Sequence, residues 1–523
     1  MSIFGGLANE ILLQIIKETS ADDIAALASC CKHLHFLAKG RLAFHRKKRA
    51  TADDIVVGWD MWTTSAIHPS KHLEDIMEDD DIRFYTRKMK IGSLEYGDPE
   101  DDDIGGVDGP YTSKKNALVA NIGSKYEHQL SDLIAKVYSA LLPHAAKTNL
   151  QKWTKDVVEK GEPAAVVILL LALYPNLKIL HIYEPGQQWW KPEEWGNLLR
   201  SLTSTARGGA TNRLRIFSRL SKFRLIGCTE DSGMEANAAM ISPFMTIPTM
   251  RTIQSRGVDG RNIQWPYGTA VSGLIEIYHQ VSDIDTESLT EQIRGVKALE
   301  AFTYHFCRSL TYGIDDNKLD GEDAENPFGD AEKYEEKNTP RWEPRAITAA
   351  LLRYASHSLT FLELRATNLM GSARFRDGEP FLGSLRSFNV LSEVRLDTMM
   401  LIKTVKCLGG VSLVRGTSWR EESWEETKVQ WLVDFLPRSI RRFGMHWKHV
   451  GRGLSKNEVA TMFTYLPERT DALPYLREVA VEHANGQTQE EKGGLEELGL
   501  KCEENDIKLV RREEEPLTPW SEQ

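Results

Sequence analysis

Arginine and histidine side chains recur at fixed positions of a short pattern in this 523-residue chain. The pattern is apolar-x-x-apolar-x-apolar, as in Leu359-x-x-Leu362-x-Leu364, and eight copies follow one another between residues 177 and 481. Arginine can hold a carboxylate or a phosphate through two parallel hydrogen bonds, so the sequence predicts a surface for an acidic or phosphorylated peptide. The candidate substrate-binding residues lie between or just after the last two pattern positions: His181, Arg224, Arg256, His305, Arg365 and Arg395.

In the middle copies the same positions also hold two acids, Glu363 and Asp397, which oppose the arginines. The alternative interpretation is therefore an ordinary exposed sheet face that has no partner. The sequence alone leaves both interpretations open.

Motifs of catalysis and metal binding give no positive signal. The chain contains no GxSxG elbow, P-loop, GxGxxG, HExxH or kinase signature, so we predict no catalytic residue and no cofactor. His446 and His449 have no further ligands nearby in the sequence. A calcium loop at Asp316 fails because Lys318 and Pro327 occupy ligand positions. We predict no metal site, although an enzyme of unrecognised class stays an alternative.

The elements that position the arginines are predicted from the pattern itself. Its last three residues alternate as in a strand, and helical stretches such as Ala164–Leu173 and Pro344–Ala355 precede several copies. The predicted fold class is therefore α/β, built from helix–strand units. These units resemble an irregular leucine-rich-repeat-like solenoid with insertions, since all the copies are spaced more widely than the roughly 20–29 residues of a regular repeat. A generic α/β domain with parallel strands is the alternative.

Three short helices are predicted in the first fifty residues. Their apolar residues recur at helical spacing: Leu7, Ile11, Leu12, Ile15 and Ile16, then Ile24, Leu27 and Ala28, then Leu34, Leu37 and Ala38. So small a unit cannot bury this much aliphatic surface by itself. Some of these side chains must face either the rest of the chain, as a helical cap, or a partner protein.

This segment resembles an F-box, whose pattern opens Leu-Pro-x-Glu-Ile-Leu, continues with an Asp-Leu-x-x-Leu helix and closes on a Cys-Lys/Arg stretch. The matching residues are Leu7, Asn9, Glu10, Ile11 and Leu12, then Asp23, Ile24 and Leu27, then Cys31, Lys32, Leu34 and Leu37. Ala8 stands where the family usually has proline. The missing proline leaves φ unrestrained at the helix entry, so the first turn is less pre-organised.

The resemblance implies a non-catalytic, substrate-recruiting subunit of a Skp–cullin–F-box type E3 ubiquitin ligase. The adaptor-binding residues that it implies are Leu7, Glu10, Ile11, Leu12, Ile15, Leu27, Cys31 and Leu34. Its partners would be the Skp-type adaptor, through it the cullin–RING ligase, and an unknown protein substrate. The alternative is an interaction scaffold that binds the adaptor without degrading anything. The expected domains are an F-box over 1–50, a connector with first irregular repeats and an acidic insertion over 51–160, and a leucine-rich-repeat-like recognition domain over 161–523.

Composition narrows the class of protein. A hydrophobic fraction of 41% is enough for a folded core, and the net charge of −10 comes mostly from two acidic runs, Asp98–Asp103 and Asp315–Glu336. We read both runs as solvated insertion loops. The nearly neutral remainder predicts no nucleic-acid partner. No apolar run is long enough to cross a bilayer, and there is no signal peptide, so we expect the cytoplasm, the nucleus or both. Six cysteines without CxxC spacing predict no disulfide framework.

Overall fold

The computed structural model describes most of the chain, and this part divides into two compact units. The first unit comprises residues 1–226 and 246–250, and the second comprises 227–245 and 251–523. The described residues are 6–19, 23–60, 63–92, 110–141, 150–183, 195–208, 214–227, 236–260, 272–307, 343–367, 382–406, 425–429, 432–447, 463, 471–483 and 489–513. Both acidic runs, the calcium-like segment at Asp316 and His449 lie outside these residues.

The first unit combines helices with one mainly parallel sheet. Its helices are α1 (Asn9–Glu18), α2 (Ile24–Ser29), α3 (Lys32–Ala52), α4 (Pro69–Glu78), α5 (Ile82–Tyr85), α6 (Pro110–Leu141), α7 (Leu150–Val158), α8 (Pro163–Leu173) and α9 (Trp195–Arg207). Its strands are β1 (Asp54–Asp60), β2 (Thr63–Ile67), β3 (Lys88–Ile91), β4 (Ile179–Tyr183) and β5 (Lys222–Ile226). They are ordered β2-β1-β3-β4-β5, and only the β1–β2 pair is antiparallel.

Helices α1 to α3 share a small apolar core of their own. Buried side chains of all three helices form it, and Leu27, Cys31 and Leu37 pack against it while partly buried: the core residues are Leu12, Ile16, Ile24, Ala28, Leu34, Ala38 and Leu42. Within each helix these residues are four positions apart, which places them on one face of the helix. The predicted domain boundary at residue 50 falls inside α3, which continues to Ala52.

Helix α8 is apolar on every side, and every one of its residues is buried. A helix without a polar face is stable only inside a core. Pro163 at its first turn needs no hydrogen-bond partner for its nitrogen, so it starts the helix without cost. The buried helix explains why the apolar run Ala164–Leu173 precedes β4 in the sequence.

The second unit is an array of parallel strands joined by helices and loops. Its strands are β6 (Ala236–Asn237), β7 (Thr252–Arg256), β8 (Val258–Gly260), β9 (Glu276–Ile284), β10 (Ala301–Cys307), β11 (Phe361–Thr367), β12 (Glu393–Asp397), β13 (Ile402–Lys406), β14 (Glu425–Val429), β15 (Arg442–Trp447), β16 (Glu478–His483) and β17 (Lys508–Glu513). Its helices are α10 (Ile241–Met245), α11 (Thr286–Arg294), α12 (Pro344–Ala355), α13 (Leu432–Phe435) and α14 (Gln489–Glu504), with 3-10 turns at Ala238–Met240 and Thr398–Leu401.

Strand order in the second unit follows the chain. The parallel order is β7-β9-β10-β11-β12-β15-β16-β17. Strand β8 pairs with the end of β9, and β6 pairs with β8. Strands β13 and β14 form a separate antiparallel sheet of two strands. The mixed α/β class with a large parallel sheet, predicted from the sequence, is confirmed.

The repeated pattern coincides with the strand register. Leu362 and Leu364 pair with Val394 and Leu396 of the next strand, and all four side chains are buried. Each copy's first apolar residue, such as Leu359, is buried just before its strand. The alternating positions on the opposite face hold the charged residues that the sequence singled out.

Among the strands of the second unit's parallel array, β9 escaped the sequence prediction, because His279 stands at an inward position where the pattern requires an apolar residue. Ser255 of β7 and His279 of β9 occupy apolar-type positions, and the distance from Ser255 Oγ to His279 Nδ1 is 2.7 Å. His279 Nε2 lies 2.9 Å from Gln292 Oε1 on α11. Burial lowers the pKa of His279 to about 4, so the ring is neutral, and both of its nitrogens have a neutral hydrogen-bond partner.

A bulge bends β9 against β10. Tyr304 pairs with His279 and Phe306 with Ser282, so β9 has one extra residue between the pairs. Val281 takes a φ of 46° there, which is unfavourable for a β-branched side chain. The Tyr304 hydroxyl accepts from the Ile284 N–H at 3.1 Å and lies 2.9 Å from the Ile284 carbonyl oxygen, which fixes the bulge.

Candidate interaction surfaces

Large apolar side chains are exposed mainly at the start of the chain. Among the described residues, most of those that stand out to solvent lie in helices α1 and α3 or just before them: Leu7, Ile11, Leu13, Phe36 and Phe44. Scattered exposed apolar residues are ordinary, but a concentration of them marks a contact surface.

The residues predicted to bind an adaptor fall into two groups. Ile11 and Ile15 are four positions apart on the same side of α1, and Leu7 lies just before the N-cap residue Ala8; we call these three residues the apolar stripe. Leu7 and Ile11 are exposed, Ile11 at 51%, whereas Ile15 is partly buried. Glu10 is exposed beside this stripe. The other group lies beneath these residues, in the core of the three helices.

The second group belongs to the core of the three helices. Leu12 and Leu34 are fully buried, and Leu27 and Cys31 are partly buried against the same cluster. The Cys31 sulfur also accepts a hydrogen bond from the Leu34 N–H at 3.5 Å, which caps α3. These four residues can position the exposed stripe, but Leu12 and Leu34 have no surface with which to touch a partner.

The sequence did not identify Phe36, which is the most exposed large apolar side chain described, at 74%. It follows Leu34 by two positions and so lies away from the buried side of α3. The distance between His33 Nε2 and Asn9 Oδ1 is 2.8 Å, so the first turn of α3 lies beside the first turn of α1. The helix period of α3 is the signal that could have identified Phe36.

The C-terminal half of α3 packs on the rest of the first unit. His45 Nδ1 forms a hydrogen bond with the Tyr85 hydroxyl, and Lys48 forms an ion pair with Asp79. Burial, followed by the charge of Arg41, lowers the pKa of His45, so the ring is neutral at pH 7. Two residues of the basic run 45–49, His45 and Lys48, therefore make contacts within the first unit.

The sheet of the first unit carries cations on one face. Strand register places Lys90, His181 and Arg224 side by side in one row, and places Lys88 and Lys222 on either side of Ile179 in the neighbouring row. In each row the two cations lie on the strands to either side of the middle residue, and adjacent strands are about 4.8 Å apart.

His181 lies at the centre of this face and is only 6% exposed. Burial first, and then the positive charges of Arg224, Lys88, Lys222 and Lys90, lower its pKa to about 2, so the ring is neutral at pH 7. Its Nδ1 lies 3.4 Å from the Tyr183 hydroxyl, while its buried Nε2 has no hydrogen-bond partner.

The sheet of the second unit carries both positive and negative side chains on the face opposite its buried apolar residues. We define the ion cluster as His305, Glu363, Arg365, Arg395, His446 and Glu482, which lie on strands β10, β11, β12, β15 and β16. Glu363 Oε1 lies 2.9 Å from His305 Nε2 and 2.5 Å from Arg365 Nε. Arg365 also reaches Glu482 Oε2 at 2.8 Å.

The pKa shifts show that the two carboxylates are charged within this cluster. Burial alone would raise the pKa of Glu363, but the hydrogen bond from His305 and the charges of Arg365 and Arg395 hold it at about 2. His446, whose Nδ1 lies 3.7 Å from Glu482 Oε2, and the positive charge of Arg365 lower the pKa of Glu482 to about 2. Because Arg365 lies between two carboxylates, its charge is neutralised inside the protein.

Arg395 is neutralised as well. Its guanidinium donates to Glu393 Oε1 at 2.8 and 3.0 Å and lies 4.0 Å from Glu363. The aliphatic part of the Arg395 side chain passes over Gly444 of β15. A Cβ added at Gly444 would lie 2.9 Å from Arg395 Cγ. Glycine at 444 therefore makes room for the arginine.

The structure divides the six residues predicted to bind a substrate. His181 and Arg224 are neighbours in the first unit. His305, Arg365 and Arg395 belong to the ion cluster of the second, and Arg256 pairs in register with Gln280 at β7 and β9 of that unit. The acids that neutralise the cluster, Glu393 and Glu482, were not predicted as site residues.

Neither a metal cluster nor a membrane span is found among the described residues. They contain no group of three or more His, Cys, Asp or Glu side chains arranged to hold a metal ion. No described helix is both long enough and apolar enough to cross a bilayer.

Comparison with known proteins identifies no relative. No protein-family model matches the chain, and no curated protein matches it. The F-box resemblance therefore rests on the residues of helices α1 to α3.

Proposed function

We propose that this protein is the substrate-recruiting subunit of a Skp–cullin–F-box type ubiquitin ligase. The observation that carries the proposal is the apolar stripe Leu7, Ile11 and Ile15, of which Leu7 and Ile11 are exposed although the three helices have an apolar core of their own. That core is formed by other residues, so the exposed side chains add little to it. An apolar stripe of this kind is stabilised when a partner covers it.

The protein performs no chemistry in this proposal. The three helices bind the Skp-type adaptor, and the sheet faces bind the protein to be ubiquitylated. Recruitment raises the effective concentration of target lysines near a conjugating enzyme that other subunits carry. The cullin–RING ligase is the partner reached through the adaptor.

The recognition part is proposed to be an irregular leucine-rich-repeat-like solenoid. Its support is the strand order of the second unit, in which each successive parallel strand adds to the same edge. Two repeat lengths also fall in the usual range once β9 is recognised, because the buried leucines and methionine that open these copies stand at 250, 274 and 299. Sequential addition of short units is the construction principle of such solenoids.

The test is co-purification with a Skp-type adaptor, using variants that leave the helical core intact. Ile11→Asp places a charge in the exposed stripe, and we expect adaptor affinity to fall at least 30-fold, or about 2 kcal/mol. Leu13→Asp is the matched control, because Leu13 is 47% exposed on another side of the same helix. Leu12 is unsuitable, since a charge at this buried position would unfold the helices.

Two results would contradict the proposal. One is a folded wild-type protein that does not bind the adaptor. The other is equal loss of affinity in Ile11→Asp and Leu13→Asp, which would show that the stripe has no special role. Cullin-dependent ubiquitin transfer to a captured partner then separates a ligase receptor from a scaffold, because a scaffold binds the adaptor without supporting transfer.

A further inference from the structure

Helix α3 exposes two phenylalanines on the side that faces away from its core. Phe36 is 74% exposed and Phe44 is 40% exposed. They are eight residues apart, which is little more than two helical turns, so both lie on the same side of the helix. The buried residues of α3 recur on the other side, at Leu34, Ala38 and Leu42. Large apolar side chains that are exposed together mark a contact surface.

Gly40 lies midway between the two phenylalanines, four residues from each. Glycine is among the poorest residues for a helix interior, so its place in the middle of the 21-residue α3 needs a reason. Packing within the protein does not supply one. Apart from the backbone of α3 and the two adjoining residues, no atom would lie within 4 Å of a Cβ added at Gly40. The glycine therefore leaves a notch between the phenylalanines, where the backbone of a second helix can approach closely.

Two cations hold the Phe44 ring in place. The Arg41 guanidinium carbon and Lys48 Nζ lie 5.0 and 5.2 Å from the centre of the ring. Lys48 is also paired with Asp79, so its charge is already balanced. Cation–π contacts orient the ring, and it is therefore positioned before a partner arrives.

The charge along α3 has one sign. The helix contains seven lysines and arginines and no aspartate or glutamate. Lys32, Lys39 and Arg46 recur at seven-residue intervals, so they form a row along one flank of the phenylalanines. We call these three residues the row of cations. All three are exposed, and within the described part of the chain none of them forms an ion pair.

The spacing fits the packing of one further helix. In heptad notation abcdefg, Phe36 and Ala43 fall at d and Gly40 at a, while the row of cations falls at g. Residues at a and d pack against a partner helix, and charges at e and g select the partner. Lys47 takes the next a position and adds to the positive charge. The matching positions of the partner are therefore acidic.

We propose that the surface formed by Phe36, Gly40, Ala43 and Phe44 docks an acidic amphipathic helix of a partner protein. We call this surface the α3 face. The partner's backbone crosses at Gly40, its apolar side chains contact the two phenylalanines, and its carboxylates pair with the row of cations. No residue of the α3 face belongs to the apolar stripe, so the inference does not rest on the proposed ligase function.

Two other occupants fit the α3 face less well. A second copy of this chain would place its own row of cations against the first, and like charges on facing helices repel. A lipid surface would attract the cations, but it gives no reason for Gly40, because a larger apolar side chain there would bury more area in the membrane.

The first experiment titrates the full-length protein into a fluorescent helical peptide and follows the fluorescence anisotropy. The peptide is about three heptads long, with leucine and alanine at a and d and glutamate at e and g. A second peptide carries lysine in place of every glutamate. We expect saturable binding of the acidic peptide, roughly tenfold tighter than that of the lysine peptide and weakened by salt. Non-saturable binding of the acidic peptide, or equal affinity for both, would overturn the proposal.

Gly40→Gln separates docking from folding. Glutamine is a good helix former, and a Cβ at this position meets no neighbour, so the variant should melt at a higher temperature than the wild type. The same side chain fills the notch and keeps the partner's backbone away. We expect roughly tenfold weaker binding of the acidic peptide in a more stable protein. Undiminished binding would contradict a crossing at Gly40.

A matched pair of serine variants locates the surface. Phe36→Ser removes the more exposed phenylalanine and should weaken peptide binding roughly tenfold. Leu13→Ser removes an apolar side chain of α1 that is 47% exposed, and it should leave binding unchanged. Equal losses in the two variants would mean that the peptide binds any exposed apolar residue, and the α3 face would have no special role.

The other occupants are tested in parallel. Sedimentation velocity should show a monomer, and a dimer that Phe36→Ser dissociates would assign the α3 face to a second copy. Vesicles of phosphatidylcholine and phosphatidylserine should not bind the protein. Vesicle binding that is lost in Phe36→Ser but kept in Gly40→Gln would assign the face to a lipid surface. Either outcome would overturn the proposal.

Failure of this proposal is distinguishable from failure of the ligase proposal. Gly40→Gln leaves the apolar stripe unchanged, so adaptor co-purification should persist in that variant. Loss of both the adaptor and the acidic peptide would place the adaptor on the α3 face and would overturn a separate partner. Peptide binding by a wild-type protein that does not bind the adaptor would refute only the ligase assignment.

Discussion

Replacing Glu363 with glutamine would remove the central negative charge of the ion cluster while keeping its shape. Glu363 is 4% exposed, and its carboxylate accepts a hydrogen bond from His305 and lies 2.5 Å from Arg365 Nε. Glutamine resembles the protonated acid, so Glu363→Gln measures what ionisation of this group contributes to folding. Arg365 stays paired with Glu482, which limits the loss.

The magnitude follows from the pKa. The cluster lowers the pKa of Glu363 from 4.5 to about 2. Each unit corresponds to about 1.4 kcal/mol, so ionisation stabilises the folded state by about 3 kcal/mol at neutral pH. We therefore expect Glu363→Gln to lower the free energy of unfolding of the second unit by about that amount.

The pH dependence has a defined sign. Because the folded pKa lies below the unfolded one, the contribution is fully present above about pH 4.5 and is lost as the pH falls towards 2. The difference between wild type and Glu363→Gln should therefore shrink from about 3 kcal/mol at pH 6 to nearly zero at pH 2. Other titrating groups are common to both proteins, and most of their effect cancels in the difference.

Hydrogen exchange in strand β11 is the assay, because it reports opening of the second unit without assuming that the whole chain unfolds in one step. The control is Glu291→Gln, which breaks an exposed ion pair with Arg294 and should cost under about 1 kcal/mol. A Glu363→Gln effect below about 1 kcal/mol, or one that does not change with pH, would refute the charge argument.

Three further variants test separate features of the fold. Tyr304→Phe removes the hydroxyl that fixes the β9 bulge and should cost about 1–3 kcal/mol by urea unfolding, with Tyr278→Phe, a partly buried tyrosine, as the comparison. Ala8→Pro should stabilise helix α1 by about 0.4–1 kcal/mol in thermal unfolding, because Ala8 already has a φ of −64°; a lower melting temperature would contradict this. Gly444→Leu should displace Arg395 and lower stability by about 1–3 kcal/mol, whereas an unchanged midpoint would mean that the arginine moves freely.

The parallel strands could be predicted from the sequence because inward positions of a buried sheet require apolar side chains. Leu362 and Leu364 are clear examples, since both are fully buried and in register with their neighbours. Strand β9 could not be predicted by the same rule, because His279 and Ser255 satisfy each other by a hydrogen bond. A pattern of apolar residues cannot report a polar pair whose partner lies on another strand.

The charge on each face was harder to predict. The sequence indicated that Arg365 lies on a sheet face, but not that Glu482 from a much later strand would neutralise it. Arg365 and Glu482 meet only because β11, β12, β15 and β16 pair in the registers that the structure shows. The exposed stripe at Ile11 followed from helical spacing, whereas the separation of Leu12 and Leu34 into the core required the packed helices.

The chain-ordered sheet of the second unit also has a consequence for synthesis on the ribosome. From β9 onward, each strand of the main array pairs with one that was translated before it, so no strand has to wait for a later segment. A unit of about 25 residues emerges in about 1–5 s at ordinary elongation rates, whereas helices and hairpins form within microseconds. Folding can therefore proceed vectorially, and the newest strand is the one whose open edge needs protection by a chaperone until the next strand arrives.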